Sequence, residues 1–332
     1  MQEIIQIGLL GCGEMGRTLA EAVTATGLGR IRTVFDVDPG KSLARARAQQ
    51  AESAASEDAL LASGDLQAVI IAVPPYLHRE SVLKAAQAGK HIFLEKPMAF
   101  DVAACRQMNE AVRRMGLTQM VGHVLRYYEP FRTITRLTHA GSFGKPLHGE
   151  LSRFESGYLQ LAPWKGQRAL SGGYLYEIGA HGLDWMRCLF GEPQAVQAVV
   201  QKQWPSEHEI EDFVSVQIYF DSGALGSYLG GTRFPIGEHG FVLHFEGATI
   251  RSADAFDPNA VKVDWMDGVG PRSDALVFSK EDPFEAEIRG WLTSLIGGTD
   301  VPITGEDAGK TVALIQAAYQ SAGWASPIRT GK

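Results

Sequence analysis

Apolar residues in the first third of the chain fall into short, nearly unbroken runs, and the stretches between them have helical spacing. Ile4 to Leu10, Arg30 to Asp36, Gln67 to Val73 and His91 to Leu94 read as strands. Arg17 to Thr26, Lys41 to Gln50 and Leu77 to Ala88 read as helices, the first and last stopped by Gly27 and Gly89. Strands this continuously apolar are buried on both faces, so their alternation with helices predicts a parallel sheet covered on either side. The pattern changes after Gly122. Between Glu211 and Phe220, Val214, Val216, Ile218 and Phe220 share one face, and Phe213, Ser215, Gln217 and Tyr219 the other. Asp221-Ser222-Gly223 predicts a turn, Ala224 to Gly231 a return strand, and Phe241 to Phe245 a further strand. This is the syntax of an antiparallel sheet. Helices over Pro283 to Leu295 and Glu306 to Ser321 follow. The expected fold class is an α/β doubly wound parallel sheet over residues 1–121, then an α+β domain over 122–332.

Composition narrows the function classes. With 332 residues, 45 % hydrophobic and 21 % charged, the chain has material for two globular cores. A net charge of −7 argues against a nucleic-acid partner, which requires clustered Lys and Arg. The three cysteines, Cys12, Cys105 and Cys188, form no C-x-x-C pair, so neither a disulfide framework nor a structural metal is expected. The opening Met-Gln-Glu-Ile-Ile-Gln-Ile lacks a secretory pattern, and the strongest apolar run, Val69 to Val73, is too short to span a bilayer. A cytoplasmic location without membrane partners is expected.

Between the first strand and first helix stands Gly11-Cys12-Gly13-Glu14-Met15-Gly16, a G-x-G-x-x-G segment. Gly11 permits the tight turn, Gly13 lets the backbone approach a pyrophosphate, and Gly16 lets helix and strand pack closely. The helix N-terminus adds free N–H groups and a positive dipole end. Alone the motif equally fits a Gly-rich turn; its strand–helix context makes it a Rossmann fingerprint. Asp36 ends the second strand, where a carboxylate accepts hydrogen bonds from an adenosine ribose and repels a 2′-phosphate. Val37, Asp38 and Pro39 supply no cation, so NAD is expected rather than NADP.

Two further segments carry candidate chemistry. Val73-Pro74-Pro75-Tyr76-Leu77-His78 leaves the carboxyl end of a buried strand, and Glu95-Lys96-Pro97 leaves the next. Ligands bind at these ends in open parallel sheets, and Pro97 biases Lys96 towards extended backbone. Ser171-Gly172-Gly173 leads into a helix in which Glu177 and His181, four apart, share a face that Asp184 continues. Leu175, Gly179, Gly182 and Met186 form the opposite side, suited to close packing. An exposed Glu–His pair is the plainer alternative for this helix.

Taken together, Gly11-x-Gly13-x-x-Gly16, Pro74-Pro75-x-x-His78, Ala88-Gly89-Lys90-His91 running into Glu95-Lys96-Pro97, and Gly172-Gly173 followed by Glu177, His181 and Asp184 resemble the glucose–fructose oxidoreductase and inositol dehydrogenase family. Gly122-His123-Val124-Leu125-Arg126-Tyr127, Gly144-Lys145-Pro146 and Gly305-Glu306-Asp307-Ala308 extend the similarity over nearly the whole chain. One departure is Glu177, where the family usually has Asp. A large, mainly antiparallel open sheet is expected in a substrate-binding and oligomerisation domain; its Phe213 and Tyr219 face is too apolar for an entirely solvated sheet surface, so a homodimer or homotetramer through that sheet is expected. The resemblance implies reversible NAD(P)-dependent hydride transfer between a sugar or polyol secondary alcohol and the nicotinamide. Cofactor contacts fall to Gly11, Cys12, Gly13, Glu14, Met15, Gly16, Asp36, Val73, Pro74, Pro75, His78, Glu95 and Lys96. Lys96 and His181 are the catalytic candidates, with exchangeable roles and expected to meet across an interdomain cleft, and Glu177 supports them. A histidine's ordinary pKa near ~6.5 suits a general base, and a lysine stabilises charge developing on the reacting oxygen. His123, Arg126, Tyr158, Trp164 and Arg168 are candidates for the substrate wall. No metal is expected. A dinucleotide-binding sugar sensor, or elimination or glycoside hydrolysis without net redox, stands as the alternative.

Overall fold

The computed structural model describes residues 4–160, 162–204, 207–267, 270–274 and 276–324, with backbone alone for 267 and 270–274. By contact the chain divides into two compact units: Met1–Val124 with Glu281–Lys310, and Leu125–Lys280 with Thr311–Lys332. Residues 325–332 of the expected second domain lie outside the described residues.

In the first unit six strands, β1 (Ile5–Leu10), β2 (Gly29–Phe35), β3 (Glu52–Ser53), β4 (Ala68–Ile71), β5 (His91–Glu95) and β6 (Gln119–Gly122), form an all-parallel sheet in the order β3-β2-β1-β4-β5-β6. The helices α1 (Glu14–Thr26), α2 (Pro39–Gln49), α3 (Glu57–Leu61), α4 (His78–Gln87) and α5 (Val102–Arg114) alternate with the strands. This is the expected doubly wound sheet. Its strand order reverses beside β1, so a crevice lies beyond the carboxyl ends of β1 and β4. All four residues of β4 are 0 % exposed, which explains why this strand shows no polar alternation. Lys90, buried before β5, sends its ammonium to the carbonyls of Ser63 and Leu66 at 2.7 and 2.8 Å. It thereby satisfies two turn acceptors, while burial holds its pKa below the usual lysine value.

The second unit is built on β7 (Pro146–Phe154), β8 (Pro193–Gln201), β9 (Phe213–Phe220), β10 (Leu225–Gly231), β11 (Glu238–Phe245), β12 (Ala248–Ser252), β13 (Lys262–Asp267) and β14 (Gly270–Asp274). Their order is β14-β13-β12-β11-β7-β10-β9-β8. Every pair is antiparallel except β7 with β10. The two faces of β9 sort as the alternation predicts: Val214, Val216, Ile218 and Phe220 are buried, while Tyr219 is 49 % exposed. Helices α6 (Phe131–His139), α7 (Arg168–Ser171) and α8 (Ala180–Phe190) complete the unit. On the inner face of the sheet α8 packs so closely that a β-carbon on Gly182 would lie 2.7 Å from the Tyr228 ring, and one on Gly149 of β7 2.5 Å from Phe190. Trp185 meets Phe131 and Phe241 at ring distances of 4.6 and 5.4 Å and donates its indole N–H to Thr135. The apolar side expected for this helix is therefore a packing face.

Two features differ from expectation. Residues 175–179 are not ordinary α-helix but a π turn, Leu175–Gly179, that runs into α8. The i+4 spacing of Glu177 and His181 thus straddles a locally widened, underwound turn, a feature frequent at functional sites. The second concerns α9 (Pro283–Gly297) and the start of α10 (Gly305–Ser321). The expected division placed them in the second domain, whereas by contact residues 281–310 belong with the first unit. In α9 Trp291 lies 5.4 Å from Phe93, and Leu292 approaches the α-carbon of Gly29. An apolar helical stripe records that a partner exists, not which sheet supplies it.

Candidate functional site

The glycine-rich loop after β1 is a set of exclusions. Gly11 has φ +91°, and a β-carbon there would lie 2.4 Å from the Ala72 carbonyl oxygen. A β-carbon on Gly16 would lie 2.0 Å from the carbonyl oxygen of Gly11, whereas one on Gly13 would meet nothing within 4 Å. Gly11 and Gly16 thus close the turn, and Gly13, at the N-cap of α1, faces open space beside the free N–H groups of the helix start. Glu14 and Met15 form the first helical turn. Asp36, beyond β2, accepts from the backbone N–H of Cys12 at 2.7 Å and of Asp38 at 2.8 Å. Its carboxylate is therefore oriented and keeps lone pairs for further donors. Burial, then the charge of Asp36, pushes the Cys12 thiol up to about 12, against a smaller opposing effect of Arg45. Cys12 is thus no nucleophile, and Arg45 of α2 is a cation near this loop that reading only the residues after Asp36 did not find.

His78 is 0 % exposed, with Nδ1 2.9 Å from the Pro97 carbonyl and Nε2 3.0 Å from that of Val73. It sits behind the loops rather than at their surface and ties the Val73-Pro74-Pro75 turn to the turn after β5. Glu95 is buried and accepts from the backbone N–H of Lys96 at 3.2 Å. The half-buried Lys96 thus leaves β5 from a braced turn. His123, which follows β6, is 2 % exposed, and its backbone N–H donates to the Val121 carbonyl at 3.0 Å.

Within the second unit the structure gathers Tyr158, Trp164 and Glu177 around a residue that sequence reasoning missed, Lys165. Its ammonium lies 3.4 Å from Glu177 Oε2, 4.9 Å from the Tyr158 ring centroid and 5.5 Å from that of Trp164. Glu177 is 4 % exposed and Tyr158 1 %. The Tyr158 hydroxyl is buried without a hydrogen-bond partner among the described residues. Burial first, then the charges of Glu177, Glu211 and Glu155, raise its pKa, so it stays a neutral donor. The loop carrying Trp164 and Lys165 is pinned by Glu209, whose backbone N–H donates to Gly166 and whose carboxylate accepts from the Arg168 backbone. The half-buried His181 begins α8, on the same short segment as Glu177.

Two wall candidates lie elsewhere. Arg126 forms a two-pronged pair with Asp184, both bonds 2.7 Å, and Asp184 also accepts from Thr311 and lies 3.6 Å from Arg187. With Asp184 1 % exposed, this is a buried network inside the unit. The Arg168 guanidinium lies over the rings of Tyr319 and Trp324. Among the described residues no cluster of three or more His, Cys, Asp or Glu could hold a metal. No helix among them is long and apolar enough to cross a membrane.

Comparison with known proteins fits this geometry. Residues 5–123 match the model described as the oxidoreductase family with an NAD-binding Rossmann fold, and residues 131–251 match the GFO/IDH/MocA C-terminal domain. The chain is 31 % identical over 254 residues to the 2,7-anhydro-N-acetylneuraminate hydratase of Escherichia coli (strain K12), covering 75 % of this chain and 67 % of that one. It is 26 % identical to the inositol 2-dehydrogenase of Rhizobium meliloti (strain 1021), covering 96 % of each. Its fold matches a levoglucosan dehydrogenase in complex with NADH at a TM-score of 0.87, with 22 % identity and 97 % of each chain covered.

Beside Tyr158 lies an ionised group that can be tested without a substrate. Burial alone would raise the pKa of Glu155, but the His239 ring nitrogen 3.4 Å away and the charge and hydrogen bond of Arg153 outweigh it and bring it down to about 2. A carboxyl depressed on folding adds stability above its unfolded pKa that is lost as pH falls through the folded value. The Glu155→Gln variant should melt well below the wild type near neutral pH, with the difference closing between about pH 4.5 and 2. A difference in melting temperature that stays constant over that range would refute this account of Glu155.

Proposed function

We propose hydride transfer between a sugar or polyol hydroxyl and a nicotinamide as the reaction of this chain, which belongs to the GFO/IDH/MocA family of NAD-binding oxidoreductases. The protein is an NAD-dependent oxidoreductase acting on CH–OH groups. The observation that carries the substrate class is the cluster in the second unit. A buried tyrosine hydroxyl without a hydrogen-bond partner among the described residues, an indole and a Lys165–Glu177 pair gather beside the segment bearing His181. A sugar offers apolar C–H faces to the rings and hydroxyls to the polar groups. A buried hydroxyl left unsatisfied costs about 1–3 kcal/mol, which a substrate hydroxyl would recover.

NAD, when bound, supplies the hydride acceptor. The chain's residues do the rest. His181 takes the hydroxyl proton as the C–H bond breaks, Lys96 stabilises negative charge on the reacting oxygen, and Glu177, held by Lys165, orients a substrate hydroxyl or the imidazole. Screening NAD reduction across inositols, aldoses and glycosides should find a substrate. With it, His181→Ala and Lys96→Ala should each lose about two orders of magnitude in kcat or more. Glu177→Gln should lose less, and NAD affinity should survive His181→Ala. Near-normal turnover by the His181 variant would sink the assignment. A second reading is favoured by the hydratase relative: transient oxidation that permits addition or elimination of water. Turnover of an anhydro-sugar with no accumulating NADH would establish that outcome instead.

The cofactor reading is NAD over NADP, through Asp36. Because Arg45 supplies a cation near the same loop, Asp36→Ser alone should already improve NADP use, and adding Arg45→Ala should cancel the gain. Tighter binding of NADP than NAD by the wild type would contradict the role given to Asp36.

The assembly reading is a homodimer or homotetramer formed through the outer face of the second sheet. Tyr219 pairs with Leu225, and Ser215 with both Leu229 and Val199, so these side chains share one face. Val199, Tyr219, Leu225 and Leu229 are 50, 49, 43 and 37 % exposed, an apolar set that a second copy would cover. Light scattering at micromolar concentration should return a multiple of 36.0 kDa, and the monomer mass would overturn this reading.

A further inference from the structure

Glu211, in the segment before β9, and Tyr319, near the end of α10, have no role in the reaction as described. Both are 0 % exposed. The Tyr319 hydroxyl donates to Glu211 Oε1. The backbone N–H of Leu175 donates to Glu211 Oε1 at 3.3 Å and to Tyr319 Oη at 3.1 Å, from 36 and 144 residues away in sequence. Leu175 is the first residue of the π turn, and the preceding Tyr174 gives it no side-chain cap; the Tyr174 hydroxyl instead donates to the Arg153 carbonyl and meets that of Tyr228. The first N–H groups of a helical segment lack internal partners, so this one is capped from outside. Gly173 fits the same arrangement. Its φ is +105°, and a β-carbon there would lie 2.5 Å from Tyr319 Oη and 2.7 Å from Glu211 Oε2. The Gly173 carbonyl in turn accepts from the backbone N–H of Glu177 at 3.2 Å.

We propose that Glu211, acting with Tyr319, is a positioning residue for the reactive turn: it fixes the Leu175 amide and so sets where Glu177 and His181 begin. This rests on the reading above that those two serve the substrate. Stability alone is a weak reason for the arrangement. Burying a carboxyl is costly, and an apolar replacement of similar volume is often neutral or stabilising. Burial does push Glu211's carboxyl up, with Tyr319 and the two backbone bonds opposing. A carboxyl held this way works mainly as a hydrogen-bond acceptor, a role that an amide oxygen can also fill.

The test compares Glu211→Leu, Glu211→Gln and Tyr319→Phe in the full-length chain. It measures melting temperature, the NMR titration of the His181 imidazole, and kcat and KM with the polyol that the screen identifies. The chain has nine histidines, so a His181→Asn spectrum assigns the signal. Glu211→Leu should remain folded, with kcat reduced between about tenfold and a hundredfold, KM for NAD unchanged, and the His181 titration displaced. Glu211→Gln should restore both kcat and the titration to near wild type. If Glu211→Leu fails to fold, Tyr319→Phe, which keeps the ring and removes one of the two acceptors on Leu175, gives the same reading. Unchanged kcat and His181 titration in Glu211→Leu, or a Glu211→Gln variant as impaired as the leucine, would overturn the proposal. The titration needs no turnover. Failure of the polyol screen with a displaced titration would therefore count against the reaction and not against the positioning role.

Discussion

At Gly11 the backbone turns out of β1 with φ +91°, in contact with the Ala72 carbonyl that follows β4. Neither strand can end as it does unless that α-carbon is bare. The same holds one helical turn on, where Gly16 approaches the Gly11 carbonyl, and in the second unit where Gly173 leaves room for Glu211 and Tyr319. Each is a backbone approach that a single methyl group would abolish. At the first pair, the approach seats the N-terminus of α1 over the sheet and leaves the α-carbon of Gly13 facing open space. At Gly173 it admits a buried carboxyl to the start of the segment bearing Glu177 and His181. The candidate chemistry of each unit therefore depends on the absence of a β-carbon at a point the reacting groups never touch.

Several buried polar groups are satisfied in ways that also fix geometry. Lys90 bridges two carbonyls, His78 lies between two more, and Asp184 holds Arg126 while accepting from Thr311. A half-satisfied buried network would be worse than an apolar one. These residues therefore resist substitution for structural reasons, even where they neighbour the chemistry. That is the physical difference between Arg126 and Lys165. The first is fully engaged by a 1 % exposed carboxylate, and the second faces two aromatic rings and a carboxylate among candidate substrate contacts.

Local signals were legible in the sequence wherever the constraint is local. The glycine-rich turn, Asp36 at the end of the second strand, the braced Lys96 turn and the two-faced β9 all depend on residues within a few positions, and the fold class followed from their periodicities. What could not be read depends on partners far along the chain. The π turn is capped from positions 211 and 319, so a reader of residues 171–184 sees only an α-helical spacing. Arg126 resembles a sugar-binding arginine until Asp184, 58 residues on, is found to hold it. The stripe on α9 looks the same whichever sheet it covers. Lys165 in Pro163-Trp164-Lys165-Gly166 reads as a solvated turn lysine, although its aromatic neighbours on both sides in the fold were already candidates.

The position where this chain departs from the family pattern has a local physical context. Glu177 carries one more methylene than the Asp usual there, and its carboxylate meets the ammonium of Lys165 at 3.4 Å. Shortening the side chain would draw that oxygen back by roughly one C–C bond, about 1.5 Å, and stretch the pair beyond direct contact. With Glu in place, the two charges compensate each other beside a neutral tyrosine hydroxyl and an indole. Such a surface asks little desolvation of a neutral polyol, whose hydroxyls can hydrogen-bond to either partner. The length of one side chain thus decides whether this carboxylate reaches Lys165, and so whether the two charges offset each other beside Tyr158 and Trp164.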